Sequence, residues 1–210
     1  MKLTHTVATF AATLITIGSL AGGANAATLT TTFAGGNGQN GNMFDVNIIS
    51  TTDLLVTSLD LNMNMDMSVE TSDIEVYGRI GSWVSFEGSS AGWTLLSQTP
   101  SVTGNGEGLS TTVNINDFVL PALSTYALYI TRTTGDLNYT NGTSVGNVFA
   151  QNADLQILEG AGKVYAFSNT FTPRIWNGSI TYNTVIPEPT SALLLSLSAI
   201  GIVARRRQIR

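Results

Sequence analysis

Between residues 27 and 184, almost every apolar segment is short, rich in β-branched or aromatic residues, and closed by glycine or asparagine. No stretch there keeps a helical period, so the pattern is that of an all-β fold. Strands are expected near 28–33, 43–49, 54–67, 73–77, 83–87, 93–97, 111–119, 125–131, 154–158, 163–167 and 174–182. Their even spacing predicts an antiparallel β-sandwich of jelly-roll type. Gly35-Gly36-Asn37-Gly38, Gly104-Asn105-Gly106, Asn141-Gly142 and Asn177-Gly178 supply turn residues that reach positive φ cheaply. Asn177-Gly178, between Arg174-Ile175-Trp176 and Ser179-Ile180-Thr181-Tyr182, is the strongest hairpin signal.

Both ends of the chain break this pattern. Lys2, an apolar stretch over 7–20 and Ala24-Asn25-Ala26 together form a leader with a small-x-small cleavage site, so residues 1–26 read as a signal peptide and the mature chain starts at Ala27. The other reading, a first core helix, is opposed by Gly18, Gly22 and Gly23, which weaken a helix that must persist. At the far end, Pro187-Glu188-Pro189 precedes an apolar run, Ser191 to Ala204, followed by Arg205-Arg206-Arg207. The prolines stop regular structure, and the arginines hold their end on the cytoplasmic side. As a helix, fourteen residues reach about 21 Å at ~1.5 Å each, short of a hydrocarbon core of roughly 30 Å. Starting the segment at Thr190, with tilt and arginine snorkelling, makes 190–204 a short membrane stop inside a 185–210 tail. Its leucines, isoleucines and valine surround the helix instead of forming one stripe, which argues against a packed core helix.

This tail resembles the PEP-CTERM signal of bacterial exported proteins. The resemblance implies Pro187, Glu188 and Pro189 as the recognition element of an exosortase, a membrane transpeptidase-like protease. It also implies Arg205, Arg206 and Arg207 as the retention charge, with the cell envelope or exopolysaccharide matrix as destination. The expected partners are therefore the Sec machinery, signal peptidase acting at Ala24, Ala26 and Ala27, the exosortase and the membrane, held transiently. A second resemblance covers most of residues 27–184. It is carried by Gly41-Asn42-Met43-Phe44-Asp45, by Val76-Tyr77 with Gly92-Trp93-Thr94-Leu95, by Leu137-Asn138-Tyr139-Thr140-Asn141-Gly142, and by residues 154–162 leading into Phe171-Thr172-Pro173-Arg174-Ile175-Trp176-Asn177-Gly178. These residues are similar to a bacterial module of exported proteins, and the likeness assigns no catalytic residue.

Composition narrows the chemistry. Cysteine is absent and the one histidine, His5, lies in the leader. Histidine-dependent nucleophilic systems and His/Cys zinc sites are thus excluded from the mature chain. Of nine basic residues only Arg79, Arg132, Lys163 and Arg174 fall in the body, against thirteen of fourteen acidic ones, so nucleic acid is not the expected partner. A Ser-Lys pair using Lys163, or a glycosidase drawing on Asp60, Asp66, Glu70 or Glu75, stays formally open. In 60–67, oxygen side chains alternate with Leu61, Met63, Met65 and Met67. A calcium loop would need glycine at the sixth position and an acidic residue at the twelfth, where this chain has Met65 and Thr71, so a half-buried strand is expected, with no metal and no cofactor.

The expected function is a non-enzymatic surface or matrix protein. The alternative is a carbohydrate-binding module, with Trp83, Trp93 and Trp176 as stacking platforms, although such rings more often fill a core. An ice-binding surface is suggested more weakly by Thr28, Thr30 and Thr32 at strand spacing. Asn138, Asn141 and Asn177 match the N-x-Ser/Thr pattern, and turns are expected to use them rather than glycans.

Overall fold

The computed structural model describes residues 26–64 and 71–185. Fifteen strands make up its regular structure: β1 (Ala26–Thr30), β2 (Asn37–Gln39), β3 (Gly41–Ile48), β4 (Leu54–Asn62), β5 (Ser72–Ile80), β6 (Thr94–Val102), β7 (Ser110–Val113), β8 (Phe118–Leu120), β9 (Thr125–Arg132), β10 (Leu137–Asn141), β11 (Val148–Gln151), β12 (Leu155–Leu158), β13 (Gly160–Lys163), β14 (Thr170–Trp176) and β15 (Gly178–Thr184). The smaller sheet runs β1-β15-β4-β7, with β8 also on β4. The larger runs β2-β10-β14-β13-β3-β9-β5-β6, and β12 joins β3 to β11. Every strand pair is antiparallel. The helices expected in the leader and in the apolar tail lie outside the described residues.

The two sheets face each other across one core. Leu54, Val56, Leu59, Leu61, Ile180 and Tyr182 from the smaller sheet pack with Phe44, Val46, Ile74, Val76, Leu128 and Ile130 from the larger. Each such side chain contributes about 1.5–3 kcal/mol on leaving water, which is how a chain without disulfides holds two layers together. In β4, Val56 and Leu59 both point inward although an odd spacing would put them on opposite faces. A bulge reconciles them: Thr181 pairs with Ser58 but Tyr182 pairs with Val56, so β4 carries one extra residue there.

Asn177-Gly178 is not a hairpin turn. β14 pairs with β10 and β13 in the larger sheet, whereas β15 pairs with β1 and β4 in the smaller, so this dipeptide carries the chain from one sheet to the other. Neither residue has positive φ. Glycine is needed for space instead: a Cβ at Gly178 would sit 2.4 Å from the Asp60 carbonyl oxygen and 2.4 Å from the Trp176 ring. Gly142 is likewise not left-handed, and a Cβ on it would press on the Glu159 carboxylate at 2.5 Å. Of the glycines expected to make turns, Gly35, Gly36 and Gly106 do adopt positive φ.

Other expectations are corrected. Residues 83–87, expected as a strand, form turns in the long β5–β6 connection, where the Phe86 amide donates to the Trp83 carbonyl. The single strand expected over 111–119 is two, β7 and β8, docked one after the other along the same edge of β4. Only Lys163 of the expected 163–167 strand is extended, because the Ser168 amide folds back onto the Val164 carbonyl. β4 ends at Asn62, Met63 adds one bridge to Leu137, and Met65 and Met67 lie outside the described residues. Strands β2, β10 and β11, and β13 apart from Lys163, are not signalled by local pattern.

Candidate functional site

Two regions bear on function: the end of the molecule where the chain enters and leaves, and the outer face of the larger sheet. At the first, β1 and β15 lie side by side with Ala26 opposite Asn183 and Ala27 opposite Tyr182. The start of the domain and its last strand residue, Thr184, therefore sit at the same pole. Leu54, which opens β4, pairs with both Thr184 and Leu120, and the Val185 amide donates to the Asp53 carbonyl at 2.8 Å. Of the residues expected to be sites of processing, Ala26 is exposed and Ala27 half-buried in β1. Ala24, Pro187, Glu188, Pro189, Arg205, Arg206 and Arg207 lie outside the described residues. Among the described residues no helix is long and apolar enough to cross a membrane.

The second region alternates with the core. Ile74 and Val76 face the smaller sheet, so Glu75 and Tyr77 face outward, where the β5–β6 connection and residues 164–169 partly cover them. Tyr77 stacks on Tyr129 at 5.7 Å and meets Phe167 edge-on at 5.2 Å, while Trp93 packs against both Tyr129 and Phe167. The Tyr77 hydroxyl donates to the Glu75 carboxylate at 2.9 Å and the Tyr165 hydroxyl does so at 3.4 Å. Burial, and then that bond to Glu75, raise the Tyr77 phenol well above its ordinary range. The Arg79 guanidinium lies 3.4 Å over the Phe86 ring, a cation–π contact. Beside it Asp45 accepts from the Ser82 hydroxyl at 2.6 Å and the Trp83 amide at 3.0 Å, while burial pushes its carboxyl up. Ser85 and Phe167, one in each covering segment, hold left-handed φ of 72° and 58°. Such conformations persist only where surrounding contacts enforce them.

The three tryptophans divide accordingly. Trp176 is 1 % exposed and stacks on Phe44 at 4.7 Å inside the core, and Trp83 is 4 % exposed, so neither offers a free face. Trp93 keeps part of its surface and anchors its indole N–H on the Phe86 carbonyl. Sequence reasoning did not single out Glu75 with Tyr77 and Tyr165, although the alternation around Ile74 and Val76 was enough to place the first two on one face.

The formal catalytic candidates are scattered. Asp60 lies between inward-facing Leu59 and Leu61 and accepts from Thr112, on the outer face of the smaller sheet. Glu75 is on the outer face of the other sheet, so the core separates them; Asp66 and Glu70 lie outside the described residues. Lys163 is fully buried, and its ammonium donates to the Glu87 and Ser168 carbonyls and the Thr170 hydroxyl. Burial lowers its pKa. Among the described residues no serine side chain bonds to its ammonium. Among the described residues no three His, Cys, Asp or Glu side chains converge. Thr28 and Thr30 share hydroxyl bonds with Thr181 and Ser179, while Thr32 lies beyond β1 and caps the Ala34 amide.

Asparagines form a buried network at the opposite pole. Asn177 accepts from the Gly35 amide at 2.8 Å and donates to the Ile175 carbonyl, and Asn62 accepts from the Gly108 amide and from Asn138. Asn138 and Asn177 are thus structural rather than turn residues; of the three N-x-Ser/Thr asparagines only Asn141 is exposed.

No family model matches the chain, and no curated protein matches it. Among solved structures, a chain described as "Structure of infectious bursal disease virus Gx strain" is 13 % identical, with 89 % of this chain and 47 % of that chain covered, at a TM-score of 0.23. The chain spans about half the length of that viral chain, and an overlay this loose bears on neither fold nor function.

Proposed function

We propose that this is an exported, non-enzymatic β domain of the cell surface or extracellular matrix, delivered by its removable leader and sorted by its PEP-CTERM-like tail. One observation carries the reading furthest: Ala26 is the register partner of Asn183, so the leader joint and the tail joint leave the domain side by side. Once folded, a domain with its first strand beside its last hangs from an inserted tail by one pole, which leaves the tail joint on the membrane side for the second cut. The cut before Ala27 falls in β1, so it precedes pairing with β15. The Sec machinery, signal peptidase and an exosortase act in turn, and the envelope or exopolysaccharide matrix receives the product.

The finer architecture belongs to this proposal. The chain visits the sheets in the order β1, β3, β4, β5-β6, β7-β8, β9 and finally β15, and the neighbours β1-β15-β4-β7 and β3-β9-β5-β6 support a jelly roll with β10–β14 inserted before its last strand. Carbohydrate binding is the second reading, favoured by the partly exposed Trp93, Tyr77 and Tyr165 around Glu75.

Glu188→Ala and removal of Arg205 to Arg207 test the main reading. Each is expected to leave uncleaved or mislocalised precursor on an immunoblot of cell fractions. Wild-type processing of both variants overturns the tail assignment.

A further inference from the structure

The pole that holds both joints also collects exposed apolar side chains. β3 and β5 end there, β4 and β9 start there, and their loops are stitched together. Ile48 donates to the Ser124 carbonyl, Leu123 to Ser50, Gly81 to Thr125 and Ile49 to Asp154, at 2.7–3.1 Å. Adjacent strands are about 4.8 Å apart, so these loops share one small surface. On it Ile80 is 71 % exposed and Leu123 70 %, with Ile49, Val119 and Val185 also exposed. Leu123 holds φ of +50°, a conformation leucine rarely adopts, in a turn closed by the Ser124 hydroxyl on the Pro121 carbonyl. The turn thus spends strain to present a leucine that leaves most of its surface to solvent.

The chain itself says what lies in front of this surface. Only Val185 to Pro189 separate the end of β15 from the membrane stop that begins at Thr190. Five residues span at most about 18 Å. If the tail is inserted, the pole is held within that distance of the headgroups. The far pole lies a further ~25–30 Å away, the length of an eight- or nine-residue strand. Charge says which headgroups fit: segments 49–53, 121–124 and 152–154 contain no lysine or arginine. Their carboxylates are engaged by the protein, the exposed Asp53 accepting from the Ala122 amide and the half-buried Asp154 from the Tyr182 hydroxyl. In the neighbouring 81–93 loop Glu87 is half-buried. The one cation beside this rim, Arg79 next to Ile80, is held over the Phe86 ring, so the apolar side chains match a zwitterionic surface entered by side chains better than an anionic one bound by charge.

We propose that this pole is a membrane-contact surface, and that Leu123, Ile80 and Ile49 enter the interfacial layer of a phospholipid bilayer while the tail is still inserted. The proposal rests on the tail reading. It gives the domain a fixed orientation, with both cleavage joints at the bilayer and the far pole turned outward.

Because the chain has no cysteine, single reporters can be placed at will. Leu123→Cys and Ile80→Cys report on the pole; Leu109→Cys is the control, since Leu109 is also exposed but precedes β7, whose first residue pairs with the far end of β4. Each full chain carrying its tail is labelled with a polarity-sensitive dye and reconstituted in phosphatidylethanolamine/phosphatidylcholine vesicles containing a headgroup-depth quencher. The expected result is severalfold stronger quenching at 123 and 80 than at 109, in chains that float with the vesicles. Floating chains with equal quenching at all three positions overturn the docking surface and leave the tail reading intact. Chains that do not float overturn the tail reading and the docking together.

Discussion

Asn177 is the side chain on which the crossing between sheets turns. Its amide group binds Gly35, Thr140 and Ile175 at once, from a site only 1 % exposed. Replacing it with alanine strands a buried amide hydrogen at Gly35 and a carbonyl at Ile175, and each such loss costs about 1–3 kcal/mol. Asn177→Ala is therefore expected to lower unfolding free energy by roughly 3 kcal/mol, read as a fall in the urea midpoint at unchanged slope. An unshifted midpoint would remove the network from the account of stability. This residue also shows why the sequence misleads locally. Asparagine followed by glycine is the usual sign of a tight turn, but two of the three partners that fix it here are 37 and 142 residues away. No local pattern contains them.

The strands that pattern revealed are those that alternate against the core, such as β3, β4, β9 and β15. Those it hid are polar, glycine-rich or very short: Asn37-Gly38-Gln39 in β2, Leu137–Asn141 in β10, Gly160–Lys163 in β13 and the four residues Val148–Gln151 in β11. Their extension comes from pairing with neighbours and not from their own composition. The outer face of the larger sheet was half legible for the same reason: alternation places Tyr77, but only the fold brings Tyr165 from residue 165 to Glu75. β1 has a consequence of its own, since it covers the edge of β15 and buries Leu29 to 7 % exposure. A mature chain lacking residues 27–31 leaves that edge bare, and a bare edge pairs with other chains. Such a chain is expected to elute as dimers or larger species on size exclusion at concentrations where the intact mature chain is monomeric. Equal elution of the two would show that β1 is dispensable as a cover.

At the scale of the whole molecule, stability depends on protons held by buried phenols. Burial, then a hydrogen bond donated to Asp154, push the Tyr182 phenol up to about 12; burial does the same to Tyr129, also to about 12. The unfolded chain releases these protons near pH 10. Between about 10 and 12 the folded state therefore binds more protons, and stability falls as pH rises through that window while remaining intact below it. Urea midpoints are expected to hold up to about pH 9 and then decline steeply, and Tyr182→Phe is expected to flatten part of the decline. A profile unchanged by that substitution would assign the loss to other groups.

One further consequence follows from the first strand pairing with the last. Thr28 and Thr181 share a hydroxyl bond across 153 residues of chain. The smaller sheet cannot close until nearly the whole domain has emerged from the ribosome, and folds built on such distant pairings assemble slowly. Delay of that kind keeps a polypeptide threadable, so on the proposed export route the same topology that seals the domain afterwards leaves time for it to pass, still unfolded, through a narrow translocation channel.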